Sequence, residues 1–327
     1  MTLTNGLGLK VVGLKKTYPK GFRRPAVEAV KNLDLDVRDG EVVGLLGPNG
    51  AGKTTAIKAI CGLLKPTAGE IFIGPYSLWR ERRRALARMA VVLEGDRNLR
   101  FRLTVKENVT FFTTLAGCDR RRVKKETPAA LERFHLTGKA DEQVRNLSKG
   151  QKQILSVAIA FLTRAELVLL DEPTLGLDVQ TSQELQTIIR EMAREGRAVL
   201  LTTHEMAVAQ KVADRVAIVT GGRLVTFKPT EELLELFRYR QYTIRLRWPE
   251  TAPATIGLDA GDVEIIPADD HERDMTIHLH TDHKDRLYEI LACLQTEECE
   301  ILEIARHQPD LERVFLSVVE GKEGEPV

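Results

Sequence analysis

Short apolar runs alternate with helical patterns through the first two thirds of the chain. Three runs are almost continuously apolar, EVVGLLG (41–47), LVLLD (167–171) and AVLLTTH (198–204). This pattern is typical of strands that are buried on both faces of a parallel sheet. A helix-like segment follows each run, so we expect a layered α/β domain. The segment RVAIVTGGRLVTF predicts a strand, a Gly-Gly turn and a second strand.

The pattern changes after about residue 235, where apolar and charged positions alternate more openly. The segment YTIRLRW (242–248) alternates as a half-buried strand does, MTIHLHT (275–281) repeats this, and KDRLYEILACLQ has helical spacing. The last apolar stripe is helical and contains Leu311, Val314, Phe315 and Val318. We therefore predict two domains, a first at 1–235 and a small α+β domain at 236–327.

Composition and charge indicate an ordinary globular protein and not a nucleic-acid-binding, membrane-spanning or secreted one. The 327 residues carry a net charge of +1, so no global field favours nucleic acid or an acidic membrane. No apolar run approaches the roughly 20 residues that cross a bilayer, and no signal peptide is evident. The four cysteines are scattered, which fits a reduced cytosolic compartment. A protein of this kind would serve a membrane from its cytoplasmic side, through a partner.

The segment GLLGPNGAGKTT contains the pattern G-x-x-x-x-G-K-[ST] between a buried strand and a helix. Glycines let backbone N–H groups surround phosphate oxygens, a lysine contacts the β- and γ-phosphates, and a hydroxyl can ligate Mg²⁺. The alternative is a glycine-rich turn that binds no ligand. Such a turn need not lie between a buried strand and a helix, so the position of the motif favours phosphate binding. The predicted phosphate-binding residues are Gly47, Pro48, Asn49, Gly50, Ala51, Gly52, Lys53, Thr54 and Thr55.

Two carboxylates follow the second buried strand. Asp171 is expected to hold Mg²⁺, directly or through water, and Glu172 could accept a proton from attacking water. An acidic turn at a strand end is the simpler alternative for either residue taken alone. The phosphate loop upstream favours the nucleotide site.

A second anion site is indicated by NLSKGQKQ (146–153), which has the features of a helix start. Such an end offers free N–H groups and a partial positive charge. A chain that already has one phosphate loop raises the question of which anion this second site would bind.

Four segments, GPNGAGKTT, NLSKGQKQ, LLDEPTLGLD and LLTTHEM, occur in an order that resembles the ATP-binding subunits of ABC transporters, over about residues 8–230. The resemblance implies a P-loop NTPase domain with a mainly parallel sheet and a helical subdomain. It also implies ATP and Mg²⁺ as cofactors, and ATP hydrolysis with Glu172, His204 and Lys53 in catalytic roles. Two such domains, in a homodimer or a heterodimer, would enclose two ATP molecules head to tail.

The same resemblance answers the question of the second anion. In this family the signature helix of one domain contacts the γ-phosphate held by the other, so Ser148, Lys149, Gly150 and Gln151 are expected to contact ATP in trans. Asp178 is expected at the dimer interface. His204 fits the switch histidine that contacts the γ-phosphate, although a lone histidine at a strand end can be structural. Tyr18, expected ahead of the first long strand, fits the aromatic that stacks on adenine.

Two positions depart from the family pattern. Lys149 replaces a glycine of the signature, which adds charge attraction for triphosphate but can crowd tight closure. Glu94 stands where the family has a glutamine that ligates Mg²⁺ and water. A carboxylate still binds Mg²⁺, but it adds a negative charge and cannot donate as an amide does. The expected metal ligands are Thr54, Asp171 and Glu94.

One ATPase domain with a small C-terminal domain resembles the exporter subfamily that moves drugs, lipids or polymers through separate membrane subunits. The alternatives are an importer ATPase with a regulatory tail, or a soluble ABC ATPase acting on ribosomes or DNA. The basic runs RERRRALAR and DRRRVKK are typical of solvated helix faces. The alternative for either run is contact with a membrane subunit or with lipid headgroups, and no nucleic acid is expected. The stretch HLHTDH (278–283) has the spacing of metal ligands, but an exposed strand face explains it equally well.

The C-terminal domain is predicted to regulate or brace the dimer, and the protein is expected on the cytoplasmic face of the cell membrane.

Overall fold

The computed structural model describes residues 6–19, 26–95, 99–236, 240–248, 263–267, 274–281, 285–296, 299–307, 311–312 and 315–316. The chain folds into two compact units, and the boundary between them falls between Thr230 and Glu231. Within the described part, no helix is long and apolar enough to cross a membrane.

The first unit is built on one ten-stranded sheet. Its strands are β1 (Leu7–Tyr18), β2 (Val27–Arg38), β3 (Val42–Leu46), β4 (Ala68–Ile73), β5 (Tyr76–Ser77), β6 (Met89–Val92), β7 (Leu167–Asp171), β8 (Ala198–Thr203), β9 (Arg215–Thr220) and β10 (Arg223–Pro229). The order across the sheet is β5-β4-β1-β2-β10-β9-β3-β8-β7-β6. Strands β9, β3, β8, β7 and β6 run parallel to one another, so their carboxyl ends meet at one edge.

The three apolar runs form the middle strands of the parallel part of this sheet, as their pattern predicts. Every residue of β3, β7 and β8 is buried, because helices cover both faces there. The predicted hairpin is also confirmed. Strands β9 and β10 pair antiparallel across Gly221 and Gly222, both of which have positive φ angles that favour glycine.

The other end of the sheet is antiparallel. Strand β1 pairs with β2 on one side and with β4 on the other, and the register shifts four times along the β1–β2 pair and once along the β1–β4 pair. These irregularities break the strict alternation that marks a strand in a sequence. The twelve-residue β1 also corrects one expectation, because Tyr18 does not precede the first long strand but ends it.

Helices of the first unit fall into two groups. Those that cover the sheet are α1 (Lys53–Ile60), α2 (Arg82–Leu86), α6 (Val179–Arg194) and α7 (Met206–Val212), and those of the predicted helical subdomain are α3 (Val105–Leu115), α4 (Arg120–Arg133) and α5 (Lys149–Thr163). The segments Thr137–Lys139 and Val144–Asn146 form 3₁₀ turns, and helix α8 (Thr230–Leu236) follows β10. Helices α3 and α5 both begin with a capping box, at Thr104 and at Ser148. Fully buried Asn108 accepts from the Arg100 N–H and donates to the Arg100 carbonyl, which fixes the loop before α3.

The second unit contains a four-stranded antiparallel sheet in the order β12-β13-β11-β14. Its elements are β11 (Arg240–Arg247), β12 (Val263–Pro267), β13 (Asp274–Thr281), α9 (Arg286–Thr296) and β14 (Glu300–His307). One face of the sheet and one face of α9 form a separate apolar core, which contains Ile244, Leu246, Trp248, Met275, Ile277, Leu279, Ile290 and Leu294. The predicted alternation is confirmed, since Arg245 and Arg247 are exposed. Of the last predicted stripe, Leu311 is buried and Phe315 half-buried, while Val314 and Val318 lie outside the described residues.

Candidate functional site

The predicted phosphate loop leaves β3 at the carboxyl edge of the sheet and leads directly into α1. A Cβ atom at Gly47 would lie 2.2 Å from the Val219 carbonyl oxygen, and one at Gly52 would lie 2.4 Å from the Ala29 carbonyl oxygen. Gly52 also has a φ of +106°, a region that other residues rarely adopt. Because only glycine fits at both positions, the backbone can curve tightly and direct the N-terminus of α1 outward. Pro48, Asn49 and Gly50 are exposed at the crest of the loop, and Ala51 is buried.

Lys53, the first residue of α1, is 8% exposed. Its ammonium donates hydrogen bonds to the carbonyl oxygens of Gly47, at 2.5 Å, and Pro48, at 3.3 Å. Burial lowers the pKa of Lys53, while the negative charges of Glu172 and Asp171 act in the opposite direction. The structure thus brings the loop lysine and both strand-end carboxylates into one electrostatic cluster.

Asp171 and Glu172 are held in place by a residue that the sequence alone does not single out. The fully buried Thr202 hydroxyl donates to Asp171 Oδ1 at 2.5 Å. The Glu172 N–H donates to the carbonyl oxygen of Thr202 at 3.1 Å, and to its hydroxyl at 3.2 Å. Glu172 adopts a φ of +49°, which costs a non-glycine residue roughly 1–2 kcal/mol. Contacts of one threonine therefore fix both acidic residues, including the strained one.

His204 lies beside Glu172, as the resemblance implies for two residues of one site. The Nδ1 atom of His204 is 2.9 Å from Glu172 Oε2, and a proton on Nδ1 satisfies both groups. The Glu172 side chain is only 12% exposed, whereas that of His204 is 48% exposed. The histidine can therefore reach a ligand while it orients the carboxylate.

The other residues that are expected at this site are exposed or half-buried. Thr54 is exposed and Thr55 half-buried in the first turn of α1, and Glu94 is exposed two residues after β6. Tyr18 is 38% exposed at the end of β1, with the Lys16 ammonium 5.2 Å from its ring centroid. An exposed aromatic face of this kind is available for stacking.

Ser148 begins α5 and uses its side chain within its own helix. Its hydroxyl accepts from the Gln151 N–H at 3.2 Å, and Gln151 Oε1 accepts from the Ser148 N–H at 3.0 Å. Among the described residues, no hydrogen bond or ion pair joins Ser148 or Gln151 to the phosphate loop. In the described part of the chain, the side chains of these two predicted ligands therefore bond within α5 and its cap and not to the loop that holds Lys53.

The start of α5 packs instead against the loop that follows Glu172. A Cβ atom at Gly150 would lie 3.1 Å from the Leu177 side chain, and one at Gly176 would lie 3.5 Å from the Lys149 ammonium. The Lys149 side chain thus lies close to Gly176. Asp178, at the end of this loop, caps α6 by accepting from the Thr181 N–H at 2.9 Å. The Thr181 hydroxyl also donates to Asp178, at 2.7 Å, and the two bonds from Thr181 hold the pKa of the Asp178 carboxyl below its usual range.

Two further candidates from the sequence are the basic run 80–88 and the histidine-rich stretch 278–283. The basic run 80–88 is largely paired, since Arg80 contacts Glu70 at 2.7 Å and Arg82 donates to the Gly62 carbonyl at 2.8 Å. Within the described ranges, no group of three or more His, Cys, Asp and Glu residues is arranged to hold a metal ion. His278 Nδ1 lies 3.1 Å from the Thr243 hydroxyl, and Asp282 and His283 fall outside those ranges.

Comparisons with known proteins agree with this geometry. The family profile described as ABC transporter matches residues 30–175. The ABC transporter ATP-binding protein NatA of Bacillus subtilis is 32% identical over 213 residues, which cover 65% of this chain and 87% of NatA. The linearmycin resistance ATP-binding protein LnrL of the same organism is 28% identical over 319 residues, or 95% of this chain and 97% of LnrL.

Two further matches bear on direction and chemistry. The methionine import ATP-binding protein MetN of Geobacillus kaustophilus is 35% identical over 68% of this chain and 66% of its own length. A solved dimeric ATP-binding cassette in a post-hydrolysis state, bound to ADP and Pi, matches with a TM-score of 0.62 and 26% identity, covering 68% of this chain and 98% of that one. The chain therefore belongs to the ABC transporter family, as one of its ATP-binding and ATP-hydrolysing subunits.

Proposed function

We propose that this subunit powers export through separate membrane subunits, from the cytoplasmic face of the cell membrane. The observation that carries the energy-coupling part is the convergence of the phosphate loop, Asp171, Glu172 and His204 at one edge of the sheet. Crevices beyond the carboxyl ends of parallel strands are the usual ligand sites of such sheets. Lys53 supplies positive charge for the β- and γ-phosphates, and the N–H groups of the loop supply donors.

In the proposed reaction, Glu172 is the general base. Its carboxylate accepts the proton of the attacking water, and the His204 imidazole keeps it oriented through the 2.9 Å contact. His204, being more exposed, also contacts the γ-phosphate. Thr202 acts on neither phosphate nor water but positions both acidic residues through its hydroxyl and carbonyl groups.

The donor set fits Mg²⁺. A threonine hydroxyl and carboxylate oxygens are the hard oxygen ligands that this ion prefers, and Asp171 keeps one oxygen beyond the one bonded by Thr202. Thr54 and Asp171 would hold the ion, with Glu94 as a third ligand. When bound, Mg²⁺ neutralises charge on the β- and γ-phosphates.

The second phosphate contact is proposed to come from a second subunit. Support comes from the lack, among the described residues, of a hydrogen bond between Ser148 or Gln151 and the phosphate loop of their own chain, and from the exposure of Ser148 and Lys149. The partner can be an identical or a related chain. Asp178 is proposed to lie at the interface between the two ATPase domains, because its loop packs against the start of α5.

Export is supported by the match to a Nod factor export ATP-binding protein, which is 38% identical over 63% of this chain. It is also supported by the match to LnrL, a resistance protein, because removal of a toxic compound confers resistance; that match extends over both domains, whereas the match to MetN is limited to about two thirds of either chain. A strain that lacks the gene, or carries Glu172→Gln, tests direction. Export predicts that the strain retains more of the transported compound in the cytoplasm than the parent strain does, in a screen of amphiphilic antibiotics, lipids and polymers. Reduced uptake of a nutrient, with normal retention of those compounds, would favour an importer. Co-isolation of the tagged chain with ribosomes or DNA, and not with membrane proteins, would contradict transport.

Loss of the Thr202 hydroxyl should impair hydrolysis more than ATP binding. In Thr202→Val the strand keeps its shape, but Asp171 loses its donor and the Glu172 N–H loses one of two acceptors. A hydrogen bond to a charged group is worth roughly 1.5–3 kcal/mol, and its loss lets the carboxylates leave the position that hydrolysis needs, so we expect turnover to fall by about 10- to 100-fold. Turnover and ATP affinity are measured together. Thr202→Ser should restore turnover, and a valine variant with normal turnover would remove the positioning role.

Removal of the second domain should leave ATP binding intact. Its apolar core is separate, and each unit is compact, so a chain that ends after about residue 236 should fold. We propose that this domain regulates or braces the ATPase dimer, so ATP-dependent dimerisation should weaken in the shortened chain. Sedimentation with ATP compares the two lengths. Lost ATP affinity in a shortened chain that remains folded would place part of the nucleotide site in the second domain.

A further inference from the structure

A groove lies between helices α3 and α4, on a part of the subdomain that the ATP chemistry does not use. It encloses about 650 Å³. Its floor is formed by the buried side chains of Val123, Leu131 and Ala140. From Arg120 to Leu131 the groove follows about 16 Å of α4, at 1.5 Å of rise per residue.

The charge along this groove is strongly one-sided. Arg120 and Lys124 line the end near the α3–α4 turn, and neither makes an ion pair within the described part of the chain. At the opposite end, Lys106 is neutralised by Asp141 at 3.2 Å. The groove therefore offers two free cations beside one end of an apolar floor. A ligand that complements it has an anionic head and an apolar body.

The C-terminal end of α3, next to the α3–α4 turn, is apolar. Leu115, the last residue of α3, is 74% exposed, and Phe111 one turn earlier is 38% exposed. Exposed apolar side chains next to unpaired cations are typical of surfaces that rest on anionic lipid headgroups. An extended acidic peptide fits less well, because its backbone N–H and C=O groups would meet an apolar floor. The wall hydroxyls of Thr110 and Thr127 already donate to the carbonyl oxygens of Lys106 and Val123.

We propose that the α3–α4 groove binds an anionic phospholipid of the membrane surface. Arg120 and Lys124 contact its phosphate, and part of an acyl chain lies on the floor formed by Val123, Leu131 and Ala140. Leu115 inserts among the neighbouring headgroups. This contact would hold the subunit against the bilayer independently of any membrane subunit and of ATP hydrolysis, so its test is separate from that of the transport function.

Co-sedimentation of the purified full-length chain with vesicles tests the proposal. Binding is expected to vesicles that contain phosphatidylglycerol and not to vesicles of phosphatidylcholine alone. A cation near an anionic leaflet is worth about 1 kcal/mol, a factor of about five, so Arg120→Gln with Lys124→Gln should weaken binding roughly 25-fold. ATPase activity should stay at the level of the parent chain, which verifies folding. No binding to phosphatidylglycerol vesicles by the parent chain would overturn the proposal.

The control removes two cations from the same helix outside the groove. Arg121 and Lys125 are exposed on α4 but do not line the groove, and the variant Arg121→Gln with Lys125→Gln changes net charge equally. We expect it to bind clearly better than the groove variant, and equal losses would indicate diffuse attraction instead. Thr114→Phe fills the groove from an exposed wall position without a charge change. It should weaken binding several-fold, and unchanged binding would exclude the apolar floor from the contact.

Discussion

Replacing Glu172 by Gln is expected to lower ATP turnover by about 10²- to 10⁴-fold while ATP binding is retained, because the variant loses only its general base. Gln has the shape of Glu, and its carbonyl oxygen can still accept from His204 Nδ1–H. The strained backbone at Glu172 is fixed through its N–H and Thr202, so the substitution leaves that contact in place. The variant should therefore accumulate as an ATP-bound dimer.

Turnover and sedimentation with ATP measure this prediction together. The matched control is Glu205→Gln; Glu205 lies one residue after His204, and its carboxylate accepts from the Thr174 hydroxyl at 3.5 Å. The control changes the same charge near the same edge and should retain most of its activity. Near-normal turnover of Glu172→Gln would remove Glu172 from the role of base.

Ser148→Arg is expected to lower turnover on the order of 10²-fold with little change in the ATP affinity of the single chain. Removal of one donor to a reacting oxyanion has an effect of this size. The substitution additionally removes a helix cap, which costs about 1 kcal/mol on its own.

The cap effect can be separated from the phosphate effect inside the same subdomain. Thr104 begins α3 with the same capping box, completed by Glu107, but has no expected phosphate contact. Thr104→Arg should therefore lose comparable stability and keep most of its turnover. If both variants lose turnover equally, the cap explains the result and Ser148 has no contact in trans.

How far this fold can be predicted from the sequence depends on how regular each pattern is. The parallel strands β3, β7 and β8 are apolar at nearly every position, and the Gly221–Gly222 turn has a backbone that few other residues adopt, so both are predictable. Strand β1 is not recognisable as one long strand, because its register shifts break the alternation of buried and exposed residues. Antiparallel pairing of distant strands is set by tertiary contacts that local pattern does not contain.

The candidate site shows the same division. The phosphate loop can be recognised from the spacing of its glycines in the sequence. Two of these glycines are required in the structure, because a Cβ atom at Gly47 or Gly52 would collide with the backbone of Val219 or Ala29. Thr202 cannot be identified from the sequence, because its role depends on the pairing of Asp171 with Thr202 across parallel strands β7 and β8. A threonine one residue before another, TTH, gives no sign of which one faces the carboxylate. Likewise, the sequence does not predict that Lys149 lies near Gly176, because this contact depends on how the loop after Glu172 lies against α5.

The claim that each ATP is shared between two subunits is tested most directly by mixing two inactive variants. Ser148→Arg lacks the contact in trans, and Lys53→Ala lacks the phosphate lysine. A dimer with one subunit of each kind has one intact composite site and one site with both defects. If subunits exchange freely and sites act independently, an equimolar mixture should recover roughly a quarter of the parent turnover, because half of the dimers are mixed. Turnover in the mixture that is no higher than the mean of the two variants measured alone, with mixed dimers shown to form, would contradict the composite site.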